Sequence, residues 1–163
     1  MNVLAIDPGT TESAYVVIGD ECAPIVFGKV PNAQLLDELP DLENLAHRAA
    51  IEMVASYGMA VGADVFETCV WIGRFYERIE GATGLTPELV KRNPIKNHHC
   101  HSSKANDSNI RQALVDRFAY GQPNHGKGTK SAPGWFYGFH SDIWQSYALA
   151  VYVADTVNSG GAA

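Results

Sequence analysis

Three carboxylates of the 163-residue chain stand where apolar residues would be expected. Asp7 ends an apolar run near the amino terminus, Glu52 lies within a second apolar run, and Asp142 begins a largely apolar helical pattern. Burying unpaired carboxylates costs several kcal/mol, whereas a divalent cation such as Mg²⁺ binds their oxygens and offsets their mutual repulsion. Two such ions about 4 Å apart activate water and stabilise the leaving oxygen of a phosphodiester. The pattern therefore predicts a carboxylate metal site.

Each acid taken alone also has a simpler explanation. Asp7 precedes the turn-forming pair Pro8-Gly9, Glu52 could face solvent on alternate residues of a strand, and Asp142 could interact with the amino-terminal end of a helix dipole. The two interpretations differ in one consequence, because a metal site requires the three side chains to converge.

Runs of apolar and β-branched residues bounded by Gly, Asp and Pro predict five strands. The first, at 3–6, is apolar throughout, as expected of a central strand that is buried on both faces. We expect it to form an antiparallel meander with the next two. The other predicted strands are at 13–18, 25–30, 49–55 and 88–101, the last of them kinked at Pro94.

Apolar residues at helical spacing predict four helices. Asn32 is expected to cap the first, which runs through Leu45 and is broken near Pro40. The others are expected over 62–80, from 106–107 onward and over 141–157, with a Gly-, Pro- and Lys-rich loop at 120–138. This order predicts a single α/β domain over 1–163, with a mixed, mostly five-stranded central sheet flanked by helices.

The composition, 46% hydrophobic and 18% charged, is typical of a globular protein. No apolar run approaches the roughly 20 residues that span a bilayer, and the run at 3–6 is too short for the core of a signal peptide. We therefore expect a cytoplasmic location. Cys22, Cys69 and Cys100 are odd in number and widely spaced, which argues against a disulfide framework.

The net charge of −6 hides an uneven distribution. Residues 74–130 contain ten of the twelve Lys and Arg residues but only five of the eighteen Asp and Glu residues. Because screening limits interactions between exposed charges to about 10 Å in ordinary salt, a polyanion senses the local surface and not the net charge. The stretch is compatible with binding to a phosphate backbone, although a solvated helix face would also account for each base taken singly.

Six segments together resemble one protein family. They are AIDPG at 5–9, IEMV at 51–54, FETCVWIGRF at 66–75, DSNIRQAL at 107–114, GTKSAPGWFYG at 128–138 and DIWQ at 142–145. They are similar to RuvC-type Holliday junction resolvases, especially the phage-type branch, and extend over nearly the whole chain. The resemblance implies an RNase H-like fold, an endonuclease for Holliday junctions and related branched DNA, and a bacterial or bacteriophage-infected cell as its setting.

The resemblance also implies which residues bind metal. Asp7, Glu52 and Asp142 correspond to three acidic ligands of the family, for Mg²⁺ with Mn²⁺ as a substitute and with two ions expected per active site. A fourth ligand often lies one helical turn after the third, where this chain has a glutamine with only a neutral amide oxygen. The further candidate ligands are this Gln145, His140 just before the third acid, and Asp107, for which a helix N-cap is the alternative role.

The expected DNA contacts combine cations with aromatic rings. Lysine and arginine bind phosphate, and an aromatic ring can stack on an unpaired base for about 1–3 kcal/mol. The candidates are Lys104, Arg111, Lys127, Lys130, Trp135 and Tyr137. Core packing is the alternative for the tryptophan.

Two further features follow from the resemblance. The family acts as a homodimer, and the helix that carries Trp71, Phe75 and Ile79 is the candidate interface, with packing into the core as the alternative. The family also has an aromatic wedge soon after the strand acid. Ala55 stands at that place here, and Tyr57 is the nearest candidate.

Other functions remain open. The turn at 7–11 also resembles the phosphate loop of the actin, sugar kinase and heat-shock ATPase group, but those proteins need two such domains. A junction-binding module that does not cut is favoured by the missing acid at Gln145. The third alternative is a nuclease of the same chemistry with a different substrate, such as replication forks, flaps or RNA–DNA hybrids.

Overall fold

In the computed structural model, residues 1–160 are described and form five strands and five helices. The strands are β1 (Val3–Asp7), β2 (Glu12–Ile18), β3 (Pro24–Pro31), β4 (Arg48–Met53) and β5 (Glu88–Lys91). The helices are α1 (Asn32–Glu43), α2 (Ala63–Thr83), α3 (Arg92–Cys100), α4 (Asp107–Phe118) and α5 (Ile143–Gly160). None of these helices is long and apolar enough to cross a membrane.

The strands form one mixed sheet in the order β3-β2-β1-β4-β5. The first three strands are an antiparallel meander, whereas β4 is parallel to β1 and β5 is parallel to β4. Parallel neighbours need crossover connections, which contain α1 and α2. The predicted mixed five-stranded sheet is confirmed. Its topology brings the carboxyl ends of β1, β4 and β5 to one edge.

Helices cover both faces of this sheet. Side chains alternate along β1, so that Val3 and Ala5 share a core with α4 and α5, while Leu4 and Ile6 share a core with α1 and α2. All four side chains are fully buried. This three-layer arrangement explains why the first strand is apolar throughout instead of alternating with polar residues.

The segment at 88–101 differs from its prediction as one extended strand. Strand β5 ends at Lys91, and α3 begins with the next residue. Pro94 is the third residue of α3, in the first turn, where a backbone N–H has no partner inside the helix. The proline therefore marks the start of a helix here and not a kink in a strand.

Helix α1 also differs from its prediction. It continues through Pro40 instead of breaking there, because the proline lies in the last turn, where little of the helix remains to be disrupted. Asn32 is the first residue of α1 and not its side-chain cap. Its side chain bonds to the turn that follows β1. The predicted cap at 106–107 is confirmed, since Asn106 and Asn109 form a reciprocal capping box at the start of α4.

Candidate active site

A row of residues crosses the sheet at the edge where the parallel strands end. The register of β1 and β4 continues to Asp7 and Glu52, which follow a matched pair of isoleucines. On the other side of β1, Asp7 is opposite Ala14, which is in turn opposite Lys29 on β3. Directly paired residues lie on the same face of a sheet. The row therefore places two acids and one lysine on the face that α5 covers.

The turn after Asp7 is held by a polar network. The Gly9 amide donates to Ser13 Oγ at 3.2 Å, Ser13 Oγ donates to Asn32 Oδ1 at 2.6 Å, and Asn32 Nδ2 donates to the Gly9 carbonyl at 2.9 Å. A Cβ on Gly9 would lie 2.4 Å from the Glu12 carbonyl oxygen, so the turn requires glycine. The network fixes the end of β1. In a phosphate loop the Gly9 amide would donate to a phosphate of ATP, whereas here it donates to Ser13.

Asp142 reaches the same place from the start of α5. Its carbonyl accepts hydrogen bonds from the Gln145 and Ser146 amides, so it stands at the amino-terminal end of the helix. Its carboxylate accepts a hydrogen bond from Lys29 Nζ at 2.7 Å. Lys29, which lies in the same cross-strand row as Asp7, thus contacts Asp142, the third predicted acid.

The charges of these residues act on one another. Burial, followed by the charges of Glu52 and Asp142, raises the pKa of Asp7 well above its ordinary value. Burial also raises the pKa of Glu52, and the Arg92 guanidinium offsets this only in part. A charge acts strongly on a carboxyl group only over a short distance. The structure therefore places Glu52 and Asp142 near Asp7.

Arg92 and Lys29 are site residues that the sequence interpretation missed. Arg92 Nη1 donates to Glu52 Oε2 at 2.8 Å, and its Nη2 donates to Asp107. The parallel strand ends and the proline after Arg92 were the signals that place it at this edge. No local sequence signal identifies Lys29, because its place depends on the cross-strand register.

A cleft of about 450 Å³ opens beside Asp142. Gln145, one helical turn further along α5, lines it and is only 8% exposed. Its Oε1 has no hydrogen-bond partner within residues 1–160, although buried polar atoms are nearly always paired. His140 lies exposed on the same cleft. An acceptor oxygen without a donor is suited to a cation.

The donor set fits a divalent ion in its chemistry. Three carboxylates and a neutral amide oxygen are the hard oxygen ligands that Mg²⁺ accepts. Among the side chains that the structure describes, however, no three from His, Cys, Asp or Glu are arranged to hold an ion. One oxygen of Glu52 is paired with Arg92, and one oxygen of Asp142 is paired with Lys29. The fit therefore rests on the ligand types and on the unpartnered Gln145 oxygen.

Four of the predicted DNA contacts lie around the cleft or near it in the chain. Arg111 and Lys127 line the cleft, and the Arg111 guanidinium lies 4.8 Å from the centre of the Trp144 ring. Lys130 is exposed in the tight turn that a bridge between Gly128 and Pro133 closes. Tyr137 is also exposed, in the segment that leads back to the cleft.

The other two predicted DNA contacts are placed differently. Lys104 lines a separate groove between α3 and α4. The Trp135 ring stacks on Phe118 with centroids 5.5 Å apart, and its Nε1 donates to Tyr147 Oη at 3.1 Å. The contacts of this tryptophan are those of a residue packed at the edge of the core.

Helix α2 has both a core face and an exposed apolar face. Phe75 and Ile79 are fully buried and Trp71 packs against the same core, so the core alternative is confirmed for these residues. Phe66 and Val70, four residues apart, are 63% and 62% exposed. The exposed apolar surface of the helix thus lies near its start.

The same fold occurs in RuvC of Thermus thermophilus. A structure of that protein covers 98% of this chain and 97% of its own, with 18% identity and a TM-score of 0.70. A structure of T. thermophilus RuvC in complex with a Holliday junction substrate covers 98% of this chain and 96% of its own, with 15% identity and a TM-score of 0.73. The sequence matches no protein-family model and no curated protein. The described chain therefore has the RNase H-like fold of RuvC.

Proposed function

We propose that this chain is a divalent-metal-dependent endonuclease that hydrolyses branched DNA, with four-way junctions as its main substrate. The observation that carries the proposal is the proximity of Glu52 and Asp142 to Asp7, together with the unpartnered Gln145 oxygen, which belongs to a residue that lines the cleft beside Asp142. A fold alone does not define a function, so the proposal rests on the residues of the site. The RuvC structure that contains a Holliday junction supports the choice of substrate.

The residues around the site divide into two groups. Asp7, Glu52 and Asp142 would hold Mg²⁺, with Gln145 or His140 as the neutral fourth ligand. When bound, two ions would activate the attacking water and stabilise the charge on the leaving oxygen. A second group of cations and one aromatic residue would bind the DNA backbone and an unpaired base: Arg111, Lys127, Lys130 and Tyr137.

We further propose a homodimer, whose twofold symmetry matches that of a four-way junction. Phe66 and Val70 on the outer face of α2 supply exposed apolar surface for a second copy. Tyr57 is a candidate for contact with the branch point, because it is exposed and its Oη accepts a hydrogen bond from the Asn93 amide, beside Arg92. Light scattering of the purified protein would measure the oligomeric state.

The decisive experiment incubates the protein with a labelled four-way junction and Mg²⁺ or Mn²⁺. We expect paired, symmetric nicks from the wild type and none from Asp7→Asn, with unchanged junction affinity, since the asparagine keeps the shape of the side chain but loses a metal ligand. Asp37→Asn, on the exposed face of α1, is the matched control and should cut normally. Forks, flaps, linear duplex and RNA–DNA hybrid at the same salt concentration would rank the substrates.

A second function, junction binding without cutting, is supported by two observations. Gln145 takes the place of an acid, and Arg92 and Lys29 already pair with two of the three carboxylates. Tight binding of the junction by the wild type with no product in either metal would favour this function and contradict the nuclease.

A further inference from the structure

We propose that Arg92 is a positioning residue, which sets the orientation of Glu52 for a divalent cation by tying it to Asp107. The inference rests on the proposed function and deepens it. Arg92 is the first residue of α3, Glu52 lies on β4, and Asp107 is the first residue of α4. One guanidinium thus links three elements that meet at the edge of the sheet.

Arg92 connects a largely buried carboxylate to an exposed one. The Arg92 side chain is 17% exposed and that of Glu52 is 15% exposed, whereas that of Asp107 is 68% exposed. One terminal nitrogen of the guanidinium donates to each carboxylate. Because the guanidinium plane is rigid, hydrogen bonds to two carboxylates restrict its orientation. A cation used in this way differs from Arg111 and Lys127, which line the open cleft.

Asp107 connects this link to the first turn of α4. The residue before it, Asn106, forms a capping box with Asn109, in which each side-chain oxygen accepts the other residue's amide at 3.0 Å. The first turn of α4 is therefore held by its own hydrogen bonds. From this turn the connection runs through Asp107 and Arg92 to Glu52. The geometry gives Asp107 a role as an anchor that does not require it to bind metal.

Partners outside the ligand set commonly orient metal ligands, and their loss typically lowers metal affinity or activity by 10- to 100-fold. Without Arg92, the Glu52 carboxylate would keep its place on β4 but lose the group that fixes its rotamer. A lysine at this position would keep the positive charge, yet its single ammonium group lacks the rigid fork that holds both carboxylates.

The test measures Mn²⁺ affinity of the intact protein without DNA, from the electron paramagnetic resonance signal of free Mn²⁺. We expect Arg92→Ala to weaken Mn²⁺ binding by about tenfold or more and Arg92→Lys to weaken it by less. Asp107→Asn should also weaken binding, and it should add little in the Arg92→Ala background, because the two residues act through one link. Junction affinity measured without divalent metal should stay unchanged in all three.

The matched control is Arg117→Ala, which removes an arginine that pairs with Asp155 away from the site. It should lower stability and leave Mn²⁺ affinity unchanged, which separates positioning from a general effect on the fold. Unchanged Mn²⁺ affinity in Arg92→Ala, or a loss of junction affinity alone, would overturn the inference while leaving the nuclease intact. Additive effects of Arg92→Ala and Asp107→Asn would make Asp107 a ligand and refute the link. A wild type that binds no Mn²⁺ would overturn both proposals.

Discussion

The two ends of the central sheet each hold an arginine against an acid, but the acids differ in how many basic partners they have. At the edge where β1 and β4 end, Arg92 is shared by Glu52 and Asp107. At the other end, where β1 begins, Arg117 donates both terminal nitrogens to Asp155 at 2.6 and 2.9 Å, and His98 Nε2 donates to the same carboxylate at 2.7 Å. Around Arg92 and Lys29 the acids outnumber the cations, whereas Asp155 is one acid bonded by two basic side chains.

The acids respond accordingly. Burial would raise the pKa of Asp155, but the hydrogen bonds from Arg117 and His98 outweigh it, and the pKa is lowered. At the other end the pKa values of Asp7 and Glu52 are raised. A satisfied acid stabilises a fold, whereas acids held close together cost stability and are explained by a ligand that needs them. The Asp155 cluster, which contains Arg117 and His98, resembles a structural element. The Asp7 cluster, which contains Glu52 and Asp142, resembles a functional site.

Exchanging acid for amide at each end gives the largest expected contrast. Asp7→Asn should reduce junction cleavage by at least about 10³-fold and leave the melting temperature unchanged or higher, because a buried charge beside Glu52 and Asp142 is removed. Asp155→Asn should keep cleavage near the wild-type rate and lower the free energy of unfolding by roughly 1–2 kcal/mol, a value reduced for the partial exposure of Arg117. Cleavage assays and denaturant titrations measure the two effects.

The opposite pattern would break the comparison between the two ends. If Asp7→Asn unfolded the protein, Asp7 would be a structural acid and the end of β1 would need its charge. If Asp155→Asn abolished cleavage at full stability, the Asp155 cluster would belong to the reaction.

Much of the Asp7 end could be predicted from the sequence. An acid that ends an apolar strand and another inside an apolar strand are local signals, and parallel pairing of the two strands makes Asp7 and Glu52 neighbours. Asp142 could be predicted because the start of α5 follows from its apolar spacing. The order of the predicted strands and helices was likewise sufficient to predict a mixed sheet.

The partners of these acids could not be predicted in the same way. Lys29 meets Asp142 across 113 positions of the chain, and Arg117 meets Asp155 across 38. Such pairs depend on register and helix packing, which short sequence windows do not contain. Arg92 was missed for a different reason, since an extended reading of 88–101 hid the start of α3. The role of Trp135 depends on its contacts with Phe118 and Tyr147, and the sequence around the tryptophan does not indicate these contacts.

Acid sensitivity should originate beside the Asp155 cluster, at His99. Burial lowers the pKa of His99 to about 4, and the hydrogen bond from its Nε2 to the Ala148 carbonyl at 2.9 Å offsets this only in part. The unfolded chain therefore binds a proton below pH 6.5 and the folded chain does not, so stability falls as the pH drops from about 6.5 to about 4, by up to about 1.4 kcal/mol per pH unit. His99→Gln should flatten this decline in denaturant titrations at pH 7, 5.5 and 4.5. His101→Asn, a change at an exposed histidine in a left-handed conformation that asparagine also adopts, should retain it.

Salt sensitivity should originate at the Asp7 end, in the lysines of the loop before α5. Lys127 lines the cleft and Lys130 is exposed nearby in the chain, so both are candidates for contact with DNA phosphates. Replacing both with alanine should weaken junction binding by about tenfold and reduce the slope of log affinity against log salt by about 1–2, because fewer counterions are released. Binding titrations at several salt concentrations measure this slope.

Arg48→Ala removes an exposed charge at the start of β4, towards the Asp155 end, and should leave the slope unchanged. Equal slopes for wild type and the double variant would remove this loop from the DNA-binding surface and leave Arg111 as the cation of the cleft.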